Sequence, residues 1–97
     1  MAIATLIEKK WLYRSFTVLT NEGVFDVEYD GNGMGYEEIL VNGEIAIRKP
    51  SVWWYVPRFD FDLGSHKARV DVSISMFMQI KSFSLSVNGS DVYAEYQ

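Results

Sequence analysis

Two Asn-Gly pairs, Asn42-Gly43 and Asn88-Gly89, each separate two runs of strand-forming residues. Asn-Gly is the strongest short-range signal for a β-hairpin, because a two-residue type I′ turn needs positive φ at both central positions and these residues tolerate it best. Strand patterns recur along the whole chain at short intervals with turn residues between them, which is typical of an all-β sandwich or barrel. The sequence therefore predicts an all-β fold, an antiparallel β-sandwich built from consecutive hairpins.

The last hairpin carries a detailed register prediction. Outward from a two-residue loop, the expected pairs are Val87 with Ser90, Leu85 with Val92, Phe83 with Ala94, and Lys81 with Tyr96. Residues opposite each other in an antiparallel pair lie on the same side of the sheet. We therefore expect one shared apolar face, made of Phe83, Leu85, Val87, Val92, Ala94 and Tyr96.

The hairpin around Asn42-Gly43 joins predicted strands over residues 36–41 and 44–49. Its register predicts four pairs, which are Leu40 with Ile45, Glu38 with Ile47, Ile39 with Ala46, and Glu37 with Arg48. We expect Glu37 and Arg48 to form an ion pair across the strands. Seven acidic residues lie between Arg14 and Arg48 with no Lys or Arg among them, and we interpret them as solvated outer strand faces in preference to a docking surface for a basic partner.

The clearest alternation of apolar and polar residues runs from Lys67 to Ile74. Its period of two predicts a half-buried strand, whose core-facing residues are Ala68, Val70, Val72 and Ile74. An earlier hairpin runs from Phe16 to Tyr29 and is expected to place three apolar residues on one face, namely Phe25, Val27 and Tyr29. A glycine-rich loop over residues 30–35 follows it.

Two segments have less certain patterns. Residues 51–56 are strongly β-prone and lie between Pro50 and Pro57, so we predict a strand near a sheet edge, where proline is tolerated. Residues 1–13 form an amino-terminal extension or a strand. The alternation within the first ten residues favours a strand over a short helix.

The composition indicates one domain spanning residues 1–97, because 48% of the residues are hydrophobic and a chain of this length buries most of its unfolded surface without disulfides. The chain has no cysteine, which excludes a disulfide framework and catalysis by a thiol. The first ten residues carry their charges after a short apolar run, the reverse of a secretory signal. We therefore expect a cytoplasmic protein without a membrane partner, and the net charge of −4 argues against a nucleic-acid partner.

Candidates for catalysis or metal binding are weak, and we predict no enzyme activity, cofactor or metal. His66 is the only histidine, and its surroundings lack a nucleophile elbow, so we interpret it as a turn residue. Asp60, Asp62 and Asp71 have the chemistry for Ca²⁺ or an acid/base pair, but charged residues on the outer face of an alternating strand explain them more simply. The loop beginning at Asp30 lacks the ligand spacing of a calcium loop.

One segment, Trp53-Trp54-Tyr55, has more aromatic surface than a core obviously needs. Alternation in a strand sends Trp53 and Tyr55 to one face and Trp54 to the other, so we expect at least one Trp ring outside the core. Three interpretations remain open. The rings belong to the core and its ordinary surface packing, to a protein interface, or to a site that stacks on a sugar or another flat ligand.

Several segments together resemble the Fas apoptotic inhibitory molecule family. They are the hairpin 40–49 with its Ile-Arg-Lys ending, the Trp-rich segment 53–55, the alternating segments 59–64 and 67–72, and the turn 85–89. The resemblance extends over the stretch from Val24 to Glu95 and leaves residues 1–10 unmatched. It implies a compact antiparallel β-sandwich that acts through protein contacts in the cytosol, with no catalytic residues to transfer.

Two functional hypotheses follow. The first is a non-enzymatic protein-interaction domain that uses Trp53, Trp54, Tyr55 and an exposed sheet edge to contact an unidentified protein or a second copy of the chain. The second is a small-ligand or carbohydrate-binding module that uses the same rings. A protein interface predicts a flat or convex aromatic patch, whereas a ligand module predicts a groove with converging polar groups.

Overall fold

The computed structural model describes residues 2–32 and 35–96, so Gly33 and Met34 of the predicted glycine-rich loop lie outside the described residues. The described chain contains nine β-strands and no helix. Their bounds are β1 Ile3–Lys10, β2 Tyr13–Thr20, β3 Gly23–Asp30, β4 Tyr36–Val41, β5 Glu44–Pro50, β6 Arg58–Leu63, β7 His66–Ile74, β8 Ile80–Val87 and β9 Ser90–Tyr96.

The strands form two antiparallel sheets in simple chain order. One sheet has the order β1-β2-β3-β4-β5 and the other β6-β7-β8-β9, so every strand pairs with its neighbour in sequence except across the step from β5 to β6. Aromatic rings from the two sheets contact each other between them, with Phe16 stacked on Phe83 at 5.7 Å and Tyr29 edge-on to Phe59 at 5.8 Å between ring centroids. The predicted all-β sandwich of consecutive hairpins is confirmed.

Both Asn-Gly turns have the predicted backbone conformation. The φ values are 53° and 81° at Asn42 and Gly43, and 51° and 83° at Asn88 and Gly89. Positive φ at both central residues is the property that makes a two-residue turn compatible with the twist of its strands. The alternation predicted in β7 is also confirmed, because Ala68, Val70, Val72 and Ile74 are all buried.

The predicted register of the β8–β9 hairpin is correct next to the turn and wrong farther along the strands. Val87 pairs with Ser90 as expected, but the register then shifts so that Leu85 pairs with Tyr93 and Val92 is left as an extra residue. Such a bulge exchanges the faces of all residues beyond it. Ala94 and Tyr96 are consequently exposed, and Tyr93 and Glu95 take the inner positions.

A second bulge changes the β4–β5 hairpin. Leu40 pairs with Ile45 as predicted, but Ile39 pairs with Ile47 and Ala46 is the extra residue. The expected ion pair of Glu37 with Arg48 is therefore wrong. Arg48 contacts Glu38, with 2.7 Å between Nη2 and Oε2, and Glu37 points into the core, where it is fully buried.

The two uncertain segments have different outcomes. Residues 3–10 form the strand β1, as favoured, which pairs with β2 through a turn at Trp11 and Leu12. The predicted strand over residues 51–56 is wrong, since residues 51–57 form an irregular segment that crosses from one sheet to the other. We call residues 51–57 the crossover segment. The proline at each end of this segment limits ladder pairing there.

The edge strands are poorly suited to pairing with another strand. Bulges interrupt three edge strands, β1 at Ile7, β5 at Ala46 and β9 at Val92. In the fourth edge strand, β6, every second side chain is charged and exposed, and these are Arg58, Asp60 and Asp62. Bulges and charges at sheet edges oppose strand addition. A sheet edge is therefore a poor candidate for the contact surface.

Candidate functional site

The connections at the two ends of the sandwich differ in chemistry. Because consecutive strands run up and down, the turns at 11–12, the crossover segment and the β7–β8 loop at 75–79 lie at one end, which we call the apolar end. Two hydrogen bonds join neighbouring connections at this end. Gly31 N, just after β3, donates to Leu12 O at 2.8 Å, and Ser51 N donates at 2.9 Å to Gly35 O, just before β4. Large exposed apolar side chains project from these connections, and they are Trp11, Val52, Trp53, Trp54, Met76, Phe77 and Met78.

The crossover segment is held at several points along its length. Ser51 N donates to Gly35 O, Val56 N donates to Glu37 Oε2 at 2.6 Å, and Pro57 O accepts from Val72 N at 2.9 Å. Tyr55 and Val56 are half-buried and pack against the core. The segment is therefore an ordered connection in spite of its lack of regular secondary structure.

Of the three aromatic residues predicted as a site, Trp53 and Trp54 project outward from this segment and Tyr55 is half-buried. Trp53 is 95% exposed and Trp54 is 54% exposed, and the Trp54 and Tyr55 rings meet edge to face at 5.5 Å between centroids. The expectation that at least one Trp ring lies outside the core is confirmed. The reason differs from the one predicted, because a loop, and not strand alternation, displays both rings.

Sequence reasoning missed the second exposed apolar element of this end. Met76 is 86% exposed and Phe77 is 84% exposed on the tight β7–β8 loop, which is closed by Ser75 N donating to Gln79 O at 2.8 Å. In the sequence, Met76, Phe77 and Met78 lie between two segments of strand pattern. Three consecutive apolar residues in a short connection were the available signal, since loops are usually polar and exposed.

A buried carboxylate lies directly beneath the crossover segment. Glu37 is 0% exposed, and its Oε1 accepts a hydrogen bond from the Tyr29 hydroxyl at 2.6 Å. Its Oε2 accepts from Val56 N. Burial raises the pKa of Glu37, although both hydrogen bonds act in the opposite direction, and burial followed by the Glu37 contact raises the pKa of Tyr29 as well.

The opposite end, which we call the polar end, joins the turns of both sheets through side-chain hydrogen bonds. His66 Nε2 lies 2.8 Å from Asn21 Oδ1, and His66 Nδ1 lies 2.8 Å from Asn88 Nδ2. The Ser65 hydroxyl donates to Glu22, so it does not point at the imidazole as a nucleophile paired with its base would. These residues connect three turns, which is a structural role.

Two of the three aspartates considered for a metal site, Asp60 and Asp62, are paired with cations. Asp60 accepts from Arg69 Nε at 3.0 Å, and Asp62 accepts from Lys67 Nζ at 2.9 Å. The hydrogen bond from Arg69 lowers the pKa of Asp60 in spite of an opposing effect of burial. Within residues 2–32 and 35–96, no group of three or more His, Cys, Asp or Glu side chains is arranged to hold a metal ion.

Four surface cavities of about 260 to 490 Å³ are lined by residues other than the exposed Trp and Phe residues of the apolar end. The largest, about 490 Å³, is at the polar end, where His66, Asn88 and Asp91 contribute to its wall. Trp53, Trp54 and Tyr55 line none of the four. Trp53 and Trp54 therefore form a projecting surface outside these cavities, whereas Tyr55 packs against the core.

No family model matches the chain, and neither a curated protein nor a solved structure matches it. The resemblance to the Fas apoptotic inhibitory molecule family therefore rests on the sequence segments that suggested it. None of the described residues belongs to a helix of the length and hydropathy required to cross a membrane.

Proposed function

We propose that this chain is a non-enzymatic protein-interaction domain that contacts its partner through the apolar end. The observation that carries the proposal is Trp53, which is 95% exposed on a segment that is hydrogen-bonded at Ser51 and Val56 and packed against the core at Tyr55 and Val56. Trp is the residue most enriched among the side chains that dominate binding energy at protein interfaces. An aromatic side chain held on an ordered segment loses little conformational entropy on binding.

The shape of the apolar end supports a protein partner over a small ligand. Its Trp, Met and Phe side chains project from separate connections and are almost fully exposed at Trp53, Met76 and Phe77. Small-ligand sites are concave and bring a few polar groups together beside apolar walls. Methionine adds a flexible side chain that adapts to a partner's surface.

We propose the cytoplasm as the cellular setting of this domain. A domain similar to the Fas apoptotic inhibitory molecule family, acting by protein contacts in the cytoplasm, agrees with the absence of cysteine from the sequence and with the resemblance described above. We propose no catalytic residue, cofactor or metal. The partner is an unidentified protein, with a second copy of this chain as the alternative.

Affinity capture from the native host with three immobilised forms of the chain tests the proposal. Wild type and a Leu19→Ala control, altered at an exposed apolar residue of the polar end, should retain the same protein. Trp53→Ala should weaken its binding by about 2 kcal/mol, which is roughly thirtyfold in the dissociation constant. Equal retention by all three forms would contradict the proposed surface.

Two further measurements separate the alternative partners. Sedimentation equilibrium of the purified chain reports self-association, which Trp53→Ala should reduce if a second copy is the partner. A glycan array reports sugar binding. Trp53-dependent binding to a sugar, together with no protein partner, would replace the protein-interaction proposal with the ligand-binding alternative.

A further inference from the structure

Glu37 occupies a place where the pattern of its strand calls for an apolar residue. It lies on the inner face of β4, two residues before the fully buried Ile39, and its own side chain is inaccessible to solvent. A buried charge loses its hydration, and apolar residues of similar volume at such places are often neutral or stabilising. The packing of the core alone therefore does not explain an acid at this position.

The contacts of Glu37 show what the acid supplies. Its two oxygens have different donors, the Tyr29 hydroxyl at 2.6 Å and Val56 N at 2.6 Å. Val56 belongs to the irregular crossover segment, and its amide points inward, away from any strand partner. Without the carboxylate this partly buried donor would lose its hydrogen bond, which destabilises the local conformation.

Tyr29 is itself held in a specific position. A Cβ added at Gly31 would lie 2.7 Å from the Tyr29 hydroxyl oxygen, so the glycine leaves the space that the hydroxyl needs. Gly31 N donates to Leu12 O at 2.8 Å in the β1–β2 turn. A continuous set of contacts therefore runs from that turn through Gly31, Tyr29 and Glu37 to Val56.

We propose that Glu37 is a positioning residue for the apolar end, whose carboxylate fixes the inward half of the crossover segment so that Trp53 and Trp54 stay displayed. This inference rests on the proposed function in that it treats the displayed rings as the binding surface. The raised pKa that burial gives Glu37 agrees with a carboxyl held in the core for its hydrogen bonds. Lys49 is opposite Glu37 in β5. Its ammonium group points away from the Glu37 carboxylate, because Lys49 Nζ donates to Arg58 O at 3.0 Å.

Amide hydrogen exchange measured by NMR on the whole chain tests the inference without a partner. Glu37→Leu keeps a buried side chain of similar size but removes both acceptors. We expect exchange of the Val56 amide to accelerate by about tenfold or more relative to the amides of the central strand β8. Glu37→Gln should preserve most of the protection, because its carbonyl oxygen can accept from Val56 N while its amide donates to the Tyr29 oxygen.

Glu38→Gln is the matched control. Glu38 is the next residue of the same strand, points outward and pairs with Arg48, so its removal should leave the Val56 amide unchanged. If Glu37→Leu does not fold, Glu37→Met, which is unbranched and adapts to irregular space, carries the same expectation.

Two results would overturn the inference. One is an unchanged Val56 amide in Glu37→Leu, or in Glu37→Met where that variant replaces it, and the other is an equal acceleration of Val56 and β8, which would show that Glu37 acts only on global stability. Either result leaves the proposed function standing, because neither measurement involves a partner. Loss of the Trp53 effect in affinity capture would in turn leave the Val56 result unaffected.

Discussion

Arg14 and Glu95 form a two-pronged ion pair that joins the two sheets across 81 positions of sequence. Arg14 Nε lies 3.0 Å from Glu95 Oε2, and Arg14 Nη2 lies 2.7 Å from Glu95 Oε1. The remaining guanidinium nitrogen donates to the carbonyls of Lys10 and Tyr13 at 2.6 and 2.7 Å. The bulge in β9 makes this pair possible, because it turns Glu95 toward the interior.

Replacing Arg14 tests how much this ion pair contributes to the stability of the fold. Arg14→Ala should lower the free energy of unfolding by about 3 kcal/mol, since it leaves a largely buried carboxylate without its main donor. Arg48→Ala, which breaks the more exposed pair with Glu38, is the control and should change it by about 1 kcal/mol or less. Urea denaturation followed by circular dichroism measures both. An equal decrease in the free energy of unfolding in the two variants would show that the inter-sheet ion pair stabilises the fold no more than the exposed pair does.

The stability of the protein should depend on pH through Glu95. Burial raises the pKa of Glu95, but hydrogen bonds from Arg14 and Tyr93 outweigh this effect and hold the pKa below its ordinary value of 4.5. The unfolded state therefore binds more protons than the folded state below about pH 4.5, so this group's stabilisation is present above that pH and is lost on acidification. Glu37, whose pKa is raised, acts with the opposite sign.

We expect Glu95→Gln to flatten the loss of stability below pH 4.5 compared with wild type, while it lowers stability at neutral pH. Urea denaturation at a series of pH values measures this difference. If the free energy of unfolding depends on pH in the same way in both proteins, Glu95 is not responsible for the loss of stability at low pH.

The register of the last hairpin gives a direct test of the bulge. Tyr93 packs at 4.8 Å from the Phe16 ring, whereas Tyr96 is 75% exposed. Tyr93→Ala should therefore destabilise the protein by about 2 kcal/mol, and Tyr96→Ala should change stability by less than about 0.5 kcal/mol. Thermal denaturation of the two variants measures the contrast, and the reverse order would support the unbulged register.

The second Asn-Gly turn predicts a difference between neighbouring substitutions. Gly89 has a φ of 83°, and a β-branched residue is strained in that region, so Gly89→Val should cost about 1–3 kcal/mol. Ser90 begins β9 and is exposed, so Ser90→Val should have little effect. Melting temperatures of the two variants provide the comparison. Similar values would contradict a type I′ turn.

The features that were predicted correctly depend on neighbouring residues in the chain. Positive φ at Asn88 and Gly89 is a local property of those two residues, and the alternation of β7 records which side of one strand meets the core. The exposure of a Trp ring was predicted correctly but for the wrong reason, because an irregular segment displays both rings and strand alternation does not act there.

The features that were predicted wrongly depend on contacts between distant segments. The bulge in β9 turns Glu95 inward, where it meets the guanidinium of Arg14, and the inward side chain of Glu37 in β4 meets the amide of Val56. Neither partner is close in sequence. A register counted outward from the turn therefore had no access to the interaction that shifts it.

The sequence by itself determined the class of the fold, the places of the tight turns and the apolar face of β7, since turn geometry and side-chain alternation act over a few residues. Only the tertiary structure decided that residues 51–57 cross between sheets, that Glu37 is buried beneath them, and that Trp53 and Phe77 project from the same end. Those outcomes depend on how two sheets pack, and a buried carboxylate becomes favourable only when both donors that satisfy it are brought to the same place.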